Sequence, residues 1–317
     1  MTKITSILTL TDGTKWRIKP RDSRALELIS RLNEVMHLHP ADNGSDSTHP
    51  DSYRYLHVSV LDSEQISNAR QPRKLNNIGY TLAENSPDGH AEPQIPVWTI
   101  LQEVDEHTTH CALGPLEDGA SPYVQLSWLS LVIARHASTR GGLLLHGALA
   151  EREGVGIILA GPGGEGKTMA SNRLPPPWRS LSDDQTLIVR DAQGTYRAHP
   201  WPTWSRFMNG DSGGAWDVQH SVQLRGIYFL SQEEMDQANL VGEGEALCML
   251  LESVAQASNL MCRDLSLPEK QALHMQRFDN ACQLVKAVPA YELFISKNGD
   301  FWREIDQALS SDEGNDS

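Results

Sequence analysis

Residues 155–168 read Val155-Gly-Ile-Ile-Leu-Ala160 followed by Gly161-Pro-Gly-Gly-Glu-Gly-Lys167-Thr168. The second part matches in full the phosphate-binding pattern G-x-x-x-x-G-K-[ST]. The apolar run before it predicts a buried strand, and residues 167–173 predict a short helix that ends before Pro175. Glycines let successive backbone N–H groups turn towards phosphate oxygens at a helix N-terminus. The stretch therefore predicts a strand–loop–helix unit that binds nucleotide phosphate.

Each residue type in the loop has a role in such a site. Lys167 would reach the β- and γ-phosphates, and the Thr168 hydroxyl would bind Mg²⁺. The nucleotide is ATP in this interpretation, with GTP as an alternative. The predicted nucleotide contacts are Gly161, Gly163, Gly164, Glu165, Gly166, Lys167, Thr168 and Met169. A glycine-rich turn that ends in Lys-Thr by coincidence is the competing interpretation.

The flanks of the loop carry further chemistry. Upstream, residues 143–150 and the turn Glu151-Arg-Glu-Gly154 predict a β-hairpin that leads into the loop strand. Downstream, Asp183-Asp184 precedes a predicted strand at residues 185–189, where a P-loop enzyme holds Mg²⁺ or a catalytic base. Adjacent residues of a strand point to opposite faces, so only one aspartate faces the metal directly unless the strand ends there. A solvated Asp-Asp turn is the alternative.

The order His146-Gly147, hairpin, P-loop and Asp183-Asp184 resembles the catalytic core of HPr kinase/phosphorylase, a P-loop kinase family. The resemblance implies an α/β fold: an HPr-kinase-like core with a mixed β-sheet, plus a smaller α+β N-terminal domain. It implies that Asp184 takes the proton of the acceptor hydroxyl and that Asp183 assists the metal. His146 would orient either the acceptor or the carboxylate; a hydrogen-bonded strand histidine is the alternative.

Two further stretches resemble the HPr-kinase-like member of the SynChlorMet gene cassette. They are His199-Pro-Trp-Pro-Thr-Trp-Ser205 and Leu224-Arg-Gly-Ile-Tyr-Phe-Leu230. That cassette encodes radical-enzyme and carrier-like partners, which implies the maturation of a ribosomally made peptide. Departures limit the inference. HPr kinase usually has Ser at the third loop position and Ser-Glu after the lysine, where this chain has Gly163 and Thr168-Met169. No second HPr-kinase signature is evident, so reversal by phosphorolysis, the HPr substrate and the hexamer are not implied.

The segment after the core suggests substrate contacts. Trp201 and Trp204 would bind an extended peptide or adenine by stacking, or would pack down their own loop. Arg206 would supply positive charge for phosphoryl transfer or lie on the surface, and Arg225 is a further candidate contact. The prolines of this segment predict neither a regular helix nor a central strand.

Composition sets the outer bounds. The chain has 317 residues, with 27 Lys and Arg against 41 Asp and Glu, a net charge of −14. An acidic chain is a poor nonspecific ligand for nucleic acid. No apolar run has the length of a membrane span, the N-terminus lacks a signal-peptide pattern, and the scattered cysteines indicate free thiols. We expect a cytoplasmic protein.

The domain organisation follows from these patterns. Residues 1–140 predict an α+β domain for substrate docking or dimerisation, with a hairpin at Asp12-Gly13 and a helix capped by Ser23. Residues 141–309 form the predicted kinase domain, and residues 310–317 a disordered acidic tail. His37 with His39, and His107 with His110, are predicted surface pairs because no carboxylate or cysteine stands at ligand spacing.

The sequence thus predicts an ATP–Mg²⁺-dependent kinase of a hydroxyl on a peptide or small protein. Two alternatives stay open: a nucleotide-binding regulatory subunit of a maturation complex, and an enzyme that activates a carboxylate. Expected partners are the peptide and other maturation enzymes, with a homo-oligomer possible, and neither nucleic acid nor membrane.

Overall fold

A computed structural model describes residues 5–41, 53–62, 78–80, 99–114, 116, 121–162, 166–208, 213–258 and 266–313. The chain forms two compact units. The first unit comprises Met1–Ile133, Trp204–Gln219 and Leu260–Lys270. The second unit comprises Ala134–Thr203, His220–Asn259 and Gln271–Ser317. Each is described by itself below, and the domain boundaries derived from the sequence remain predictions.

The first unit is built on a mixed sheet. Its described elements are β1 (Ser6–Thr9), β2 (Lys15–Pro20), α1 (Ser23–Met36), β3 (His39–Pro40), β4 (Arg54–Val60), β5 (Ile78–Tyr80), β6 (Thr99–Asp105), β7 (Thr108–Leu113), α2 (Tyr123–Ser138, which continues into the second unit) and α4 (Trp204–Met208). Among the described residues the sheet has seven strands in the order β3-β1-β2-β4-β7-β6-β5. Strands β2, β4 and β7 are parallel, and the remaining pairs are antiparallel.

Local sequence signals explain the start of this unit. The predicted hairpin at Asp12-Gly13 is confirmed, and Gly13 has a φ of 85° that a side chain would disfavour. The cap of α1 is corrected from Ser23 to Asp22. One carboxylate oxygen of Asp22 accepts from the backbone N–H of Ala25 at 2.8 Å, and the other accepts from that of Val60 at 2.9 Å. A carboxylate can serve a helix and a strand together, which one hydroxyl does less well.

The second unit holds the P-loop sequence. Its elements are β8 (Leu143–Arg152), β9 (Val155–Ala160), α3 (Lys167–Arg173), β10 (Arg179–Ser182), β11 (Gln185–Arg190), β12 (Tyr196–Trp201), β13 (Val222–Gln232), β14 (Gln237–Leu240), α5 (Glu243–Ser258), α6 (Leu267–Ala287, whose first residues belong to the first unit), β15 (Ala290–Ile295) and α7 (Trp302–Glu313).

The sheet of the second unit is mixed, as predicted. Strand β9 runs antiparallel to β8 and parallel to β13, which is itself parallel to β15. Strand β8 also pairs with β11, β11 with β12 and β12 with β13, so that β8, β11, β12, β13 and β9 form a closed ring of paired strands. The predicted hairpin into the P-loop is also confirmed. Its two-residue turn, Glu153 and Gly154, has positive φ at both positions, as a type I′ turn requires.

Helices cover both faces of this sheet. Alternate residues of β8 and β9 separate into two apolar clusters, because successive side chains of a strand point to opposite faces. One cluster joins Leu145, Leu149 and Ile158 to α5 and α6. The other joins Ala148, Ala150, Ile157 and Leu159 to α3 and α7. The P-loop helix therefore lies on the second of these faces.

Two sequence expectations are wrong in part. Strand β12 includes Pro200, which is paired with Thr186 of β11. The pairing of β12 with β13 covers only Arg197 and Ala198, so Pro200 sits where the strand has one partner and its missing N–H costs no ladder bond. In addition, α7 continues to Glu313, past residue 310, where the disordered tail was predicted to start. Residues 314–317 lie outside the described residues.

Candidate functional site

The P-loop leaves the sheet at the end of β9. Ala160 pairs with Gly147 of β8 on one side and with Phe229 of β13 on the other. Gly161 follows with a φ of 153°, and Gly166 caps α3 with a φ of 82°. A Cβ on Gly166 would meet only the Met169 methyl group at 3.9 Å, so the restriction there is conformational rather than steric. The predicted contacts Gly163, Gly164 and Glu165 lie outside the described residues.

Lys167 folds back over the start of the loop. Its Nζ donates to the carbonyl oxygens of Gly161 at 2.8 Å and Pro162 at 2.9 Å, and the residue is buried. These bonds fix the ammonium group beside the loop backbone, where burial strengthens its attraction for an anion. Thr168 and Met169, on the first turn of α3, are exposed.

Asp183 and Asp184 occupy a break between β10 and β11. Ser182 pairs with Leu149 and Gln185 pairs with His146, so both strands run along the same edge of β8 and the aspartates lie across from Gly147 and its neighbour. The strand is interrupted at the pair, the condition under which both carboxylates can serve one site. Gly147 in turn lies beside the end of β9. Because neighbouring strands are about 4.8 Å apart, the aspartate backbone lies roughly 10 Å from the start of the P-loop.

His146 contacts Asp184 directly. The His146 Nδ1 lies 3.2 Å from the Asp184 Oδ1, and the His146 and Asp184 side chains are 20% and 28% exposed. His146 alternates in step with Ala148 and Ala150, which pack on the face that carries α3. Two of the predicted catalytic residues are therefore brought together on the face of the P-loop helix.

Burial and the nearby Lys167 charge set the protonation of this pair. Burial is the largest influence and lowers the pKa of His146; the Asp184 carboxylate acts against it, and the Lys167 ammonium lowers the pKa further. The imidazole is therefore neutral at neutral pH. A neutral ring that keeps its proton on Nδ1 donates to Asp184 and leaves Nε2 as an acceptor. The influence of Lys167 also shows that the P-loop and the His146–Asp184 pair are electrostatic neighbours.

Three side chains that the sequence did not single out for this role position the site. Thr203 is buried, and its Oγ1 donates to the Asp183 Oδ1 at 2.7 Å. Ser253 of α5 donates its hydroxyl to the His146 carbonyl oxygen at 3.1 Å. Thr186 donates its hydroxyl to the Gly147 carbonyl oxygen at 2.9 Å. Each bond joins elements far apart in sequence, and no spacing rule would have found it.

The glycine of the His-Gly pair is needed for close strand approach. A Cβ on Gly147 would lie 2.7 Å from the Ile158 Cγ2 and 3.2 Å from the Leu159 carbonyl oxygen. Both atoms belong to β9, the strand that carries the P-loop. Any side chain at this position would push β8 away from β9 and would disturb His146 relative to Lys167.

Both tryptophans proposed to stack on substrate are packing residues. Trp201 is fully buried, and Trp204 is buried with its Nε1 donating to the Ser130 Oγ at 2.9 Å. A buried indole has no free ring face for a peptide or a base, so the alternative of a segment packed by its own aromatics is the one observed.

The two candidate arginines lie in different units of the chain. Arg225 sits at an irregularity of β13 between the residues paired with Gly156 and Ile157, and with Lys286 it lines a cavity of about 460 Å³. Phe229, beside the end of β9, lies four residues further along β13, roughly 13 Å at 3.3 Å per residue. The backbone of Arg225 therefore lies away from the start of the P-loop, and its role as a substrate contact stays a prediction. Arg206 lies half-buried on α4 in the first unit.

The donor set suits a magnesium ion held jointly with a nucleotide. Mg²⁺ prefers oxygen ligands and is bound through one or two carboxylates together with substrate phosphates. The exposed Thr168 hydroxyl and the Asp183 carboxylate are such donors. Within the described residues, no group of three or more His, Cys, Asp or Glu side chains forms a metal site by itself. A cation shared with phosphates does not need one.

No helix in the described part of the chain combines the length and apolar character needed to cross a membrane.

Comparison with known proteins assigns the chain to a family. No curated protein matches the chain. The family model of the SynChlorMet cassette protein ScmC matches residues 109–310, more than half of the sequence and all of the candidate site. The chain belongs to the SynChlorMet cassette protein ScmC family.

Proposed function

We propose that this protein is an ATP–Mg²⁺-dependent kinase that phosphorylates a serine or threonine hydroxyl of a peptide or small protein. The observation that carries the proposal is the contact of His146 with Asp184 one strand away from a complete P-loop sequence. The order of these parts and the mixed sheet around them support an HPr-kinase-like core. Mg-ATP, when bound, would supply the phosphoryl group and the cation that neutralises its charge.

Lys167 and the loop amides would hold the phosphates. Transfer of a phosphoryl group depends mainly on positioning and on charge stabilisation, because its transition state demands little covalent help from the protein. The Lys167 ammonium is already fixed against two loop carbonyl oxygens. A positive group that is held in place before the reaction stabilises developing charge without reorganisation.

Asp184 would accept the proton of the acceptor hydroxyl. A general base must lie within hydrogen-bond reach of the proton that it takes, and one Asp184 oxygen is held by the His146 imidazole. The acceptor hydroxyl would approach this oriented carboxylate. Because burial and Lys167 keep His146 neutral, the imidazole orients the carboxylate without forming a full ion pair that would reduce its basicity.

Asp183 would serve the metal side of the site. Its carboxylate accepts from the buried Thr203 hydroxyl, which restricts its rotation. Together with the Thr168 hydroxyl it would supply oxygen ligands. The adjacent aspartates would thus have different roles: Asp184, held by the His146 imidazole, would act on the acceptor, and Asp183, held by the Thr203 hydroxyl, would act on the metal.

Family membership supports a peptide acceptor. The ScmC family is named for a gene cassette, and a cassette protein acts in the context of its other products. We propose a ribosomally made precursor peptide as the substrate and other maturation enzymes as partners, with a cytoplasmic location.

Release of ADP tests the proposal. The purified protein is incubated with Mg-ATP, with and without a precursor peptide encoded in the same cassette, and nucleotide binding is measured in parallel. We expect ADP release that depends on the peptide and is lost in Lys167→Ala. Tight nucleotide binding without turnover would contradict the kinase and indicate the regulatory alternative. A product that hydroxylamine cleaves would indicate an acyl phosphate and hence the carboxylate-activating alternative.

A further inference from the structure

The first unit carries a strand with strictly alternating basic and non-basic residues. It reads Lys15-Trp-Arg17-Ile-Lys19-Pro-Arg21, covering β2 and the residue after it. Trp16 and Ile18 are fully buried. Since alternate residues of a strand share a face, the four basic side chains emerge together on the face opposite to these apolar residues.

The register of the sheet extends this basic face across two more strands. Arg17 pairs with Tyr55 and Lys19 with His57 in the parallel β2–β4 ladder, and His57 pairs with His110 of β7. The opposite face of the same strands is apolar, with Leu56 and Val58 buried, and α1 contacts β2 and β4. We call the set Lys15, Arg17, Lys19, Arg21, Tyr53, Tyr55, His57 and His110 the basic face.

Aromatic rings hold the cations of the basic face in place. The Arg17 guanidinium lies 4.3 Å from the centre of the Tyr53 ring, and the Lys19 ammonium lies 4.8 Å from that of Tyr55. Cation–π contacts of this kind fix long side chains over the sheet. The cations are therefore ordered rather than spread through solvent.

A third cation contacts a histidine pair at the edge of the basic face. Arg21 hydrogen-bonds to His57, whose Nδ1 lies 3.0 Å from the His110 Nε2. The field at this point is positive. Burial is the first cause that lowers the pKa of His57 to about 4, and Arg21, His110 and Lys19 lower it further against the opposing charge of Asp105. Of the two histidines predicted to lie at the surface, His107 is exposed and His110 is half-buried against His57.

The basic face is accessible and differs from the rest of the chain. Lys15 and Arg21 are exposed, and Lys19, Tyr55 and His57 are half-buried. Arg17 is buried, with 5% of its surface exposed and its guanidinium against the Tyr53 ring. The chain as a whole has a net charge of −14. Three accessible cations and the buried Arg17 share one strand face, and together they create a local positive potential on a chain of negative net charge.

We propose that the basic face is a docking surface for an acidic, extended stretch of a peptide partner. Basic residues at every second position of β2 are about 6.6 Å apart, and the side chains of an extended peptide recur at the same interval on one side. Alternate carboxylates can therefore meet Lys19 and Arg21, and a further carboxylate can meet Lys15, two such intervals before Lys19. The buried Arg17 adds positive charge without contacting the peptide. The tyrosine rings between them supply apolar contact for the backbone and methylene groups of the peptide.

A short acidic peptide fits better than nucleic acid. Nonspecific nucleic-acid binding grows with the number of phosphates that the protein neutralises. A long nucleic acid bound at the basic face would extend beyond it, where the net negative charge of the chain repels further phosphates. A peptide with a few carboxylates engages only the basic face. The inference does not require phosphoryl transfer, because docking occurs with or without a nucleotide.

Binding of a defined probe tests the proposal. A fluorescein-labelled decapeptide of alternating Glu and Ser is titrated with the full chain in the absence of nucleotide, and anisotropy is recorded at several salt concentrations. We expect binding that weakens as salt rises and a loss of about tenfold or more in Lys19→Glu combined with Arg21→Glu. Lys286→Glu combined with Lys297→Glu is the matched control. It makes the same charge change at exposed lysines of the second unit, and it should bind as the wild type does.

Three outcomes would overturn the proposal. They are equal affinity in the wild type and the Lys19/Arg21 variant, equal affinity for a Lys-Ser decapeptide, and equal or tighter binding of oligothymidylate. Thermal unfolding checks that each variant is folded. Lys19→Gln combined with Arg21→Gln, which removes charge without reversing it, replaces the glutamate variant if that one does not fold. A kinase without this docking surface would still release ADP, and a docking surface without kinase activity would still bind the probe.

Discussion

Replacing Thr203 with valine removes one hydroxyl and little else. Thr203 is only 4% exposed, and its Oγ1 donates to the Asp183 Oδ1 at 2.7 Å. Valine has the same branching, so the space remains filled. A hydrogen bond to a charged group contributes about 1.5–3 kcal/mol. Asp183 is only half-buried, and water can replace part of the lost bond, so we expect an effect near the lower limit, about 1.5 kcal/mol.

The effect should appear in the magnesium requirement. If Asp183 ligates the cation, a carboxylate that rotates more freely binds it less well, and 1.4 kcal/mol corresponds to about tenfold in affinity. ADP release is measured against Mg²⁺ at fixed ATP and peptide. We expect Thr203→Val to shift the half-saturating Mg²⁺ concentration upward several-fold to tenfold, with a smaller change in turnover at saturating Mg²⁺. Thr203→Ser keeps the donor and should behave nearly as the wild type.

Two results would refute this reasoning. If Thr203→Val and Thr203→Ser required the same Mg²⁺ concentration as the wild type, the hydroxyl would not act on the metal side through Asp183. If Thr203→Val lowered turnover at saturating Mg²⁺ and left the Mg²⁺ requirement unchanged, Asp183 would belong to the acceptor side. Urea unfolding of each variant separates either result from a general loss of stability.

Three further predictions concern the rest of the chain. Asp184→Asn should lower turnover about 10²- to 10⁴-fold while ATP still binds. His146→Asn keeps a donor near Asp184 and should retain more activity than His146→Ala. Equal turnover in all of these variants would show that the pair takes no part in the chemistry. Trp201→Ala should cost about 3–5 kcal/mol in urea unfolding, the cost of truncating a buried indole; selective loss of peptide affinity at unchanged stability would contradict its burial. The pKa of His57 falls from its ordinary 6.5 to about 4 on folding, so the unfolded chain binds more protons between these values and stability is lost as pH falls from 6.5 to 4. His57→Gln should reduce the pH dependence of the unfolding free energy between pH 4 and 7, and an unchanged pH dependence would show that other groups cause it.

Much of the fold could be predicted from local sequence signals. Asp12-Gly13 and Glu153-Gly154 supply the residues that tight turns require, and both hairpins are observed. The helix after Lys167 ends at Arg173, before Pro175, because the ring of proline prevents a regular continuation. These features depend on residues a few positions apart, which is why the sequence carries them.

The candidate site could be predicted only in part. The order of His146, the P-loop and the aspartates predicted which residues would form the candidate site, but the contact between His146 and Asp184 depends on the register of β11 against β8. The Thr203 and Ser253 bonds depend on how distant elements pack, and neither residue type at its position signals that role. Pattern alone could not decide the burial of Trp201, because indoles occur in cores and at binding surfaces alike.

The intact mass of a precursor peptide tests the central claim most directly. A peptide encoded in the same cassette is incubated with the protein and Mg-ATP, treated with hydroxylamine, and weighed by mass spectrometry beside an Asp184→Asn reaction. The account predicts a gain of one phosphoryl group that survives hydroxylamine, located on a serine or threonine, and absent with Asp184→Asn. A peptide of unchanged mass under conditions in which the protein binds Mg-ATP would contradict it.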